Sequence, residues 1–352
     1  MPTYKDFNIE EALSLESSDI VKNEKDTVSS GMWANGSGTI TAFYTSSTQS
    51  SSNAAYYLDV YSANPQSDST AKPQFSVTYG HFNGSGSAGA IGVDGTRASA
   101  TIYRQLANTL LGPNEEQFSF EVENGAHTKP KYIYAISIAR QQLREKMDPG
   151  NWELHISGSN NKGIMKLIDD SAATTNPTIN QGGRVFNVVS GSIAGGTAST
   201  KIEAGDQPGG GLGLFYPDLG MIILNGPVLA SPASASLSAS VASNAEGGNV
   251  GKFYEKIKLG NKFQARREEV ITSQHYFCRV PNKQFNFSSN PTFTSGSNGE
   301  FTIPTFIKNP KTYITQVGLY NPSNELLAVA KLSKPLLKSY SREAIIKVKL
   351  DF

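Results

Sequence analysis

The chain has 352 residues, more than twice the common size of a single domain, which implies two or three domains with core enough to fold. Only 17% of residues are charged, against a usual share of about 25%, and Ser, Gly, Asn and Thr take their place. The 31 Lys and Arg nearly cancel the 30 Asp and Glu, so a net charge of +1 leaves no field to gather a polyanion and argues against generic nucleic-acid binding.

Residues 1–38 read as an N-terminal arm, a short acidic helix at most and then extended chain. They lack the apolar run of a secretory leader, and no stretch approaches the roughly 18 consecutive apolar residues of a membrane span. The chain is therefore expected to be soluble, made in a cytoplasm and not inserted in a membrane. Residues 39–160 read as a β-rich domain. Thr39–Thr45, Ala54–Ser62 and Gln74–His81 are aromatic and β-branched runs bounded by turn formers. A helix is predicted over 97–111, where Ile102, Tyr103, Leu106 and Leu110 make a stripe at helical spacing and Gly112-Pro113 supplies the stop. Strands follow at Gln117–Val122 and Lys131–Ala139, then a helical turn or two over Ala139–Met147. Asp148-Pro149-Gly150 reads as a turn into a strand at Trp152–Ile156.

Residues 161–252 form a Gly/Ala/Ser-rich region of strands and loops, with strand-like runs at Ile164–Ile168, Arg184–Ser190 and Leu212–Leu224. Residues 253–352 read as a C-terminal β module. Its strands are expected at His275–Val280, Gln284–Phe287, Phe301–Ile307, Thr312–Leu319, Leu326–Leu332 and Ile345–Phe352. Tyr320 to Glu325 has the chemistry of a hairpin connection, with Pro322 fixing φ and Asn able to take positive φ. The fold class is accordingly mainly β with one clear helix (α+β), as antiparallel sheets or sandwiches in two or three domains with long Gly/Ser loops.

No reactive constellation emerges. Gly247 to Phe253 resembles a phosphate loop, but Glu246 stands where its first glycine belongs and Phe253 where a metal-binding hydroxyl belongs. Gly209–Gly213 lacks the third glycine of a dinucleotide fingerprint and reads as a flexible loop. Cys278 lies three residues from His275, a spacing that points the two to opposite faces of a strand, so a buried apolar thiol is the preferred reading. A single cysteine permits no intramolecular disulfide, and His81, His127, His155 and His275 are scattered, so no metal and no cofactor is expected. Glu115-Glu116, Asp169-Asp170 and Glu268-Glu269 read as solvated pairs. The chain is expected not to be an enzyme.

Two patterns point to association instead. Strand alternation turns about half of an aromatic-rich set outward, and tyrosine suits interfaces because its ring covers area at little entropic cost. The C-terminal stretch is basic while the first thirty residues hold seven acidic and three basic side chains, an asymmetry able to steer head-to-tail contacts. The candidate interface residues are Tyr56, Tyr61, Phe215, Tyr216, Tyr320, Lys331 and Lys338.

Two stretches carry a family resemblance. The first is Ala100-Thr-Ile-Tyr-Arg-Gln-Leu-Ala-Asn-Thr-Leu-Leu-Gly112 with Tyr132 to Leu154; it is similar to virion structural proteins of contractile-tailed phages. The second comprises His275 to Val280, Phe285 to Phe293, Tyr313 to Tyr320 and Asn324 to Pro335, and resembles the C-terminal module of baseplate wedge proteins in such phages. Together they cover about half of the chain. The resemblance implies a non-enzymatic virion subunit of the tail baseplate, present in a symmetric multi-copy assembly and in contact with other tail proteins. A receptor- or glycan-binding tail adhesin is the alternative.

Overall fold

In the computed structural model the described residues are 21–46, 57–84, 99–121, 126–158, 163–173, 176–197, 211–231, 235–237, 248–287 and 291–352. The fold is mainly β with α-helices, an α+β arrangement of antiparallel sheets. It divides into a core unit, Val28–Glu269, and a terminal unit that joins Met1–Thr27 to Val270–Phe352. The chain passes between them twice, within strands β1 (Val21–Gly31) and, much later, β10. The expected boundary near residue 160 does not exist: it falls inside a continuous run of strand pairing.

That run builds the core unit. Its strands are β2 (Tyr57–Tyr61), β3 (Pro73–His81), β4 (Tyr132–Ile138), β5 (Lys146–Ser157), β6 (Ile164–Asp169), β7 (Gly183–Ser192), β8 (Gly213–Tyr216), β9 (Met221–Asn225) and the first part of β10 (Phe263–Val280). Their spatial order is β10-β5-β6-β7-β8-β9-β4-β3-β2, every neighbour antiparallel. Tyr44–Thr45 extends the β2 edge, and Thr39–Ile40 pairs with Phe263 and Gln264. The Gly/Ala/Ser-rich region is thus no separate body, because its strands β6 to β9 are the middle of the sheet.

Both faces of this sheet are buried, each by a different helix. Helix α1 (Ser99–Leu110) lays Tyr103, Ala107 and Leu110 on a layer formed by Ile133, Ala135, Val185, Tyr216 and Ile223. The opposite face takes the alternate residues, among them Tyr134, Ile136, Phe215, Ile222 and Leu224, with Val250, Phe253 and Ile257 of helix α2 (Asn249–Gly260). On this side the sheet curls until its ends meet. The ring of Phe75 on β3 lies 5.2 Å from that of Phe263 on β10, and Trp33 packs 4.9 Å from Phe263. Each such ring buries about 150–250 Å², so the closure is held by dispersion and the hydrophobic effect. Tyr254 of α2 fixes the helix inside the curl by donating to the Phe43 carbonyl at 2.9 Å.

Several expectations are corrected here. Asp148-Pro149-Gly150 is not a turn before a strand but a bulge within β5: Trp152 faces Ala265, and the next paired residue, Met147, faces Arg267. Leu212–Leu224 is not one strand but the hairpin β8–β9, turned at Pro217 to Gly220, where Gly220 takes φ +64°. Gly213, expected in a flexible loop, lies in β8, where a Cβ would come within 2.3 Å of the Ile223 carbonyl oxygen. The failed phosphate loop around Gly248 opens α2, a second twelve-residue helix. The predicted helix over 97–111 is found as α1. Residues 1–20 of the arm, with Tyr56, lie outside the described residues.

In the terminal unit, the second part of β10 pairs with β13 (Ala344–Asp351), and β11 (Lys311–Tyr320) pairs with β12 (Leu326–Ser339) as a separate hairpin. The connection closes as its residues require: Asn321 and Glu325 bond each other's backbone and Asn324 takes φ +61°. Gln284–Phe287 forms no strand. Of Phe301–Ile307 only Phe301 is in a strand, paired with Thr294, and Pro304–Ile307 makes a 3-10 turn that Pro304 starts.

Candidate interaction surface

The terminal unit buries little of its apolar content. Among the described residues Leu319, Ile346 and Val348 are its only fully covered large apolar side chains, and they form one cluster with partly buried Tyr276, Cys278, Val317, Leu332, Leu336 and Leu350. Against these three stand thirteen described large apolar side chains exposed to solvent, whereas the described residues of the much larger core unit expose seven. Three buried side chains contribute on the order of 5–9 kcal/mol, which ordering even a short hairpin consumes.

The exposure has a pattern. Hairpin β11–β12 turns Val317, Leu319, Ala328, Ala330 and Leu332 toward the β10–β13 layer, sharing its apolar cluster. Alternation sends Tyr313, Tyr320, Leu327, Val329 and Lys331 to the other face, where Leu327 is 67% and Tyr313 62% exposed. Gly318 faces Val329 on that side, and a Cβ there would lie 2.9 Å from the Tyr320 ring, so Tyr320 and Leu326 lie over the bare backbone. A second apolar group sits at 287–307. Phe287, Phe293, Phe301 and Phe306 pack edge to face at 4.5–5.4 Å, yet no described residue between Phe287 and Asn309 is buried. Ile307 is 70% exposed. Contiguous apolar patches of this kind mark places where another molecule binds.

The candidate interface residues fall into two groups. Tyr320 and Lys331 are exposed on the outer hairpin face, and Tyr61 is half-buried at the end of β2. Phe215 and Tyr216 are not at any surface: β8 is interior with an apolar layer on each side, so alternation sends one ring into each layer. Lys338 is also buried, its Nζ donating to Asn286 Oδ1 at 2.7 Å and to the Asn282 carbonyl at 3.0 Å. The sequence reading missed the 287–307 aromatic group because Phe spacing there follows no period. Its signal was the density of Phe among Ser, Asn and Thr.

Part of the charge asymmetry is spent inside the chain. Glu24 meets His275 Nε2 at 3.1 Å, and Asp26 lies 3.4 Å from Lys349 Nζ. Lys349 is held above its ordinary value by Asp351 first and Asp26 next. Cys278 belongs to the apolar cluster beneath the hairpin, half-buried, and His275 lies on the other face as alternation requires.

Of the carboxylates expected to be solvated pairs, Glu115-Glu116 is exposed, but Asp169-Asp170 and Glu268-Glu269 are not free in solvent. Asp169 is fully buried at the end of β6, and both its oxygens accept the N–H of Gly150, at 2.9 Å each, which pins the β5 bulge. Burial pushes its carboxyl up to about 6, against the lowering pull of the Gly150 N–H and the Ser171 hydroxyl. Asp170 accepts from the backbone and side-chain nitrogens of Asn187 at 2.9 and 3.0 Å. Glu268 pairs with Lys146 at 3.2 Å, and Glu269 with Arg144 and Arg267 at 3.1 Å. Glu153 accepts from Lys262, His155 and the Ile193 N–H; burial raises its carboxyl, but these three together hold it below the ordinary value. Arg184 and Asp218 make a fork at 2.8–3.4 Å across β7 and the β8–β9 turn. Each of these groups ties one strand to another. Among the described residues no three His, Cys, Asp or Glu side chains gather as metal ligands, and no helix is long and apolar enough to cross a membrane.

Comparison of the chain with protein-family models, with curated proteins and with solved structures finds no match.

Proposed function

We propose that the chain is a non-catalytic structural subunit of a contractile phage tail, of baseplate wedge type, held in several copies against neighbouring tail proteins through its terminal unit. One observation carries the association half of this reading: among its described residues the terminal unit exposes thirteen large apolar side chains and fully buries three. A body built so gains its stability from what covers it. The tail assignment rests on the resemblance of Ala100–Gly112 with Tyr132–Leu154, and of His275–Val280, Phe285–Phe293, Tyr313–Tyr320 and Asn324–Pro335, to virion proteins of contractile-tailed phages. The absence of catalysis in this reading is supported by the carboxylates of the core unit, whose oxygens are engaged in holding strands together.

Mass spectrometry of purified tailed particles, with light scattering of the isolated chain, tests the reading. The chain is expected in the particle and expected to associate with tail proteins. Absence from particles overturns the tail assignment, and binding to host cells without binding to tail proteins would favour the adhesin alternative.

A further inference from the structure

We propose that the outer face of hairpin β11–β12 receives residues 1–20 of a second copy of the chain. This rests on the multi-copy reading above and names the partner for one of its surfaces. The face combines Tyr320, Leu326, Leu327 and Val329 with Lys331, all exposed, and Lys334 stands exposed in the irregular stretch of β12 just beyond. From Pro304 to Ser339 the only acidic residue is Glu325, whose backbone N–H and carboxylate are turned to Asn321. Complementary chemistry stands at the start of the sequence. Residues 1–20 interleave Phe7, Ile9, Leu13, Leu15 and Ile20 with five carboxylates, Asp6, Glu10, Glu11, Glu16 and Asp19, against a single Lys5. Apolar side chains cover the apolar face while the carboxylates meet its lysines, the arrangement that both buries area and fixes register.

Two observations place the donor in another copy. The next acidic residues, Glu24 and Asp26, are already engaged with His275, Ser273 and Lys349, and residues 1–20 hold the other five carboxylates of the first thirty residues. Those same bonds seat the end of the arm on the face of the β10–β13 layer opposite the one the hairpin covers, since His275, Ser273 and Lys349 alternate with Tyr276, Cys278 and Val348 of the cluster beneath it. The outer face looks away from the point where the chain's own arm departs. A second molecule meets no such obstacle.

Mixed-isotope cross-linking of the full chain tests this directly, because Lys5 is the only lysine in the segment. A one-to-one mixture of light and heavy chain, treated with an amine cross-linker, is expected to give light–heavy links between Lys5 and Lys331 or Lys334. Links of only one isotope pattern mean that the arm binds its own hairpin, and no Lys5 link to either lysine means that it binds neither; both overturn the proposal. Charge exchange provides the second arm. K331E/K334E alone and E10K/E11K alone should each weaken self-association in sedimentation velocity by roughly tenfold, and the two sets combined should restore most of it. Self-association that neither set changes overturns this inference while leaving the multi-copy reading intact. A chain monomeric at every concentration, and absent from particles, removes both.

Discussion

Lys338 Nζ and Asn286 Oδ1 stand 2.7 Å apart across 52 residues of chain, joining the end of β12 to the turn that follows β10. The ammonium has no carboxylate there; Asn286 and the Asn282 carbonyl are its acceptors. Lys338→Ala should therefore remove charge-assisted hydrogen bonds that tie β12 to the 282–286 turn and lower stability by about 1–3 kcal/mol. Lys331→Ala, seven residues away on the exposed face, should change it by less than about 0.5 kcal/mol. Urea unfolding of the two variants checks the contrast, and equal costs would contradict the burial of Lys338.

Asp169 and Glu153 should respond to pH with opposite sign. The Asp169 carboxyl, raised to about 6, takes up its proton in the folded state before the unfolded chain does near its ordinary value. Between those values the folded state holds the extra proton, so this group's contribution to stability falls as pH rises through the window and is level above it. Replacing it with Asn removes that slope. Asp169→Asn should gain about 2–3 kcal/mol relative to the wild type between pH 4 and pH 7. Glu153 is lowered in the folded state, so its contribution is present above the unfolded carboxyl value and lost as pH falls through the folded one. Glu153→Gln should thus fall furthest behind the wild type at neutral pH. Denaturation midpoints at pH 4, 5.5 and 7 decide, and slopes of the same sign would refute the assignment.

Phe263 closes the curled sheet, whereas Phe287 and Ile307 lie open to solvent. Phe263→Ala should cost about 3–5 kcal/mol. Phe287→Ala and Ile307→Ser should each stay within about 0.5 kcal/mol in the isolated chain and weaken its binding to tail proteins. Thermal unfolding paired with pull-down of tail proteins separates the two roles.

Helix α2 offers a test within twelve residues. A Cβ at Gly260 would stand 2.0 Å from the His155 carbonyl oxygen, while one at Gly251 meets nothing within 4 Å. Gly251→Ala should stabilise by about 0.5–1 kcal/mol through helix propensity and a less flexible unfolded chain. Gly260→Ala should destabilise by about 1–3 kcal/mol, since backbone has to move to admit it. Melting temperatures shifted in the same direction would show that α2 is not seated against β5 in this way.

Local chemistry carried much of the fold. The stripe Ile102, Tyr103, Leu106, Leu110 is α1, the apolar run at Tyr132–Ile138 is β4, and the Asn and Pro residues after Tyr320 make the turn they favour. In α2 the same helical period was present at Val250, Phe253, Tyr254 and Ile257, but the glycines before it drew attention to phosphate chemistry. The β8–β9 hairpin was hidden because both of its strands are apolar on both faces, so the hydrophobic run does not pause where the chain reverses.

From the sequence by itself came the β character, the main helix, the hairpin turn and the contrast between an acidic start and a basic end, all set by residues near one another in the chain. Tertiary structure alone decided which strand face is covered. Alternation marks two faces without saying whether one or both meet a partner, and so Phe215, Tyr216 and Lys338 went inside while Tyr320 and Lys331 stayed out. It also decided the state of Asp169, because the burial that lifts its carboxyl and the Gly150 N–H that pulls it back both arise only when the strands pair.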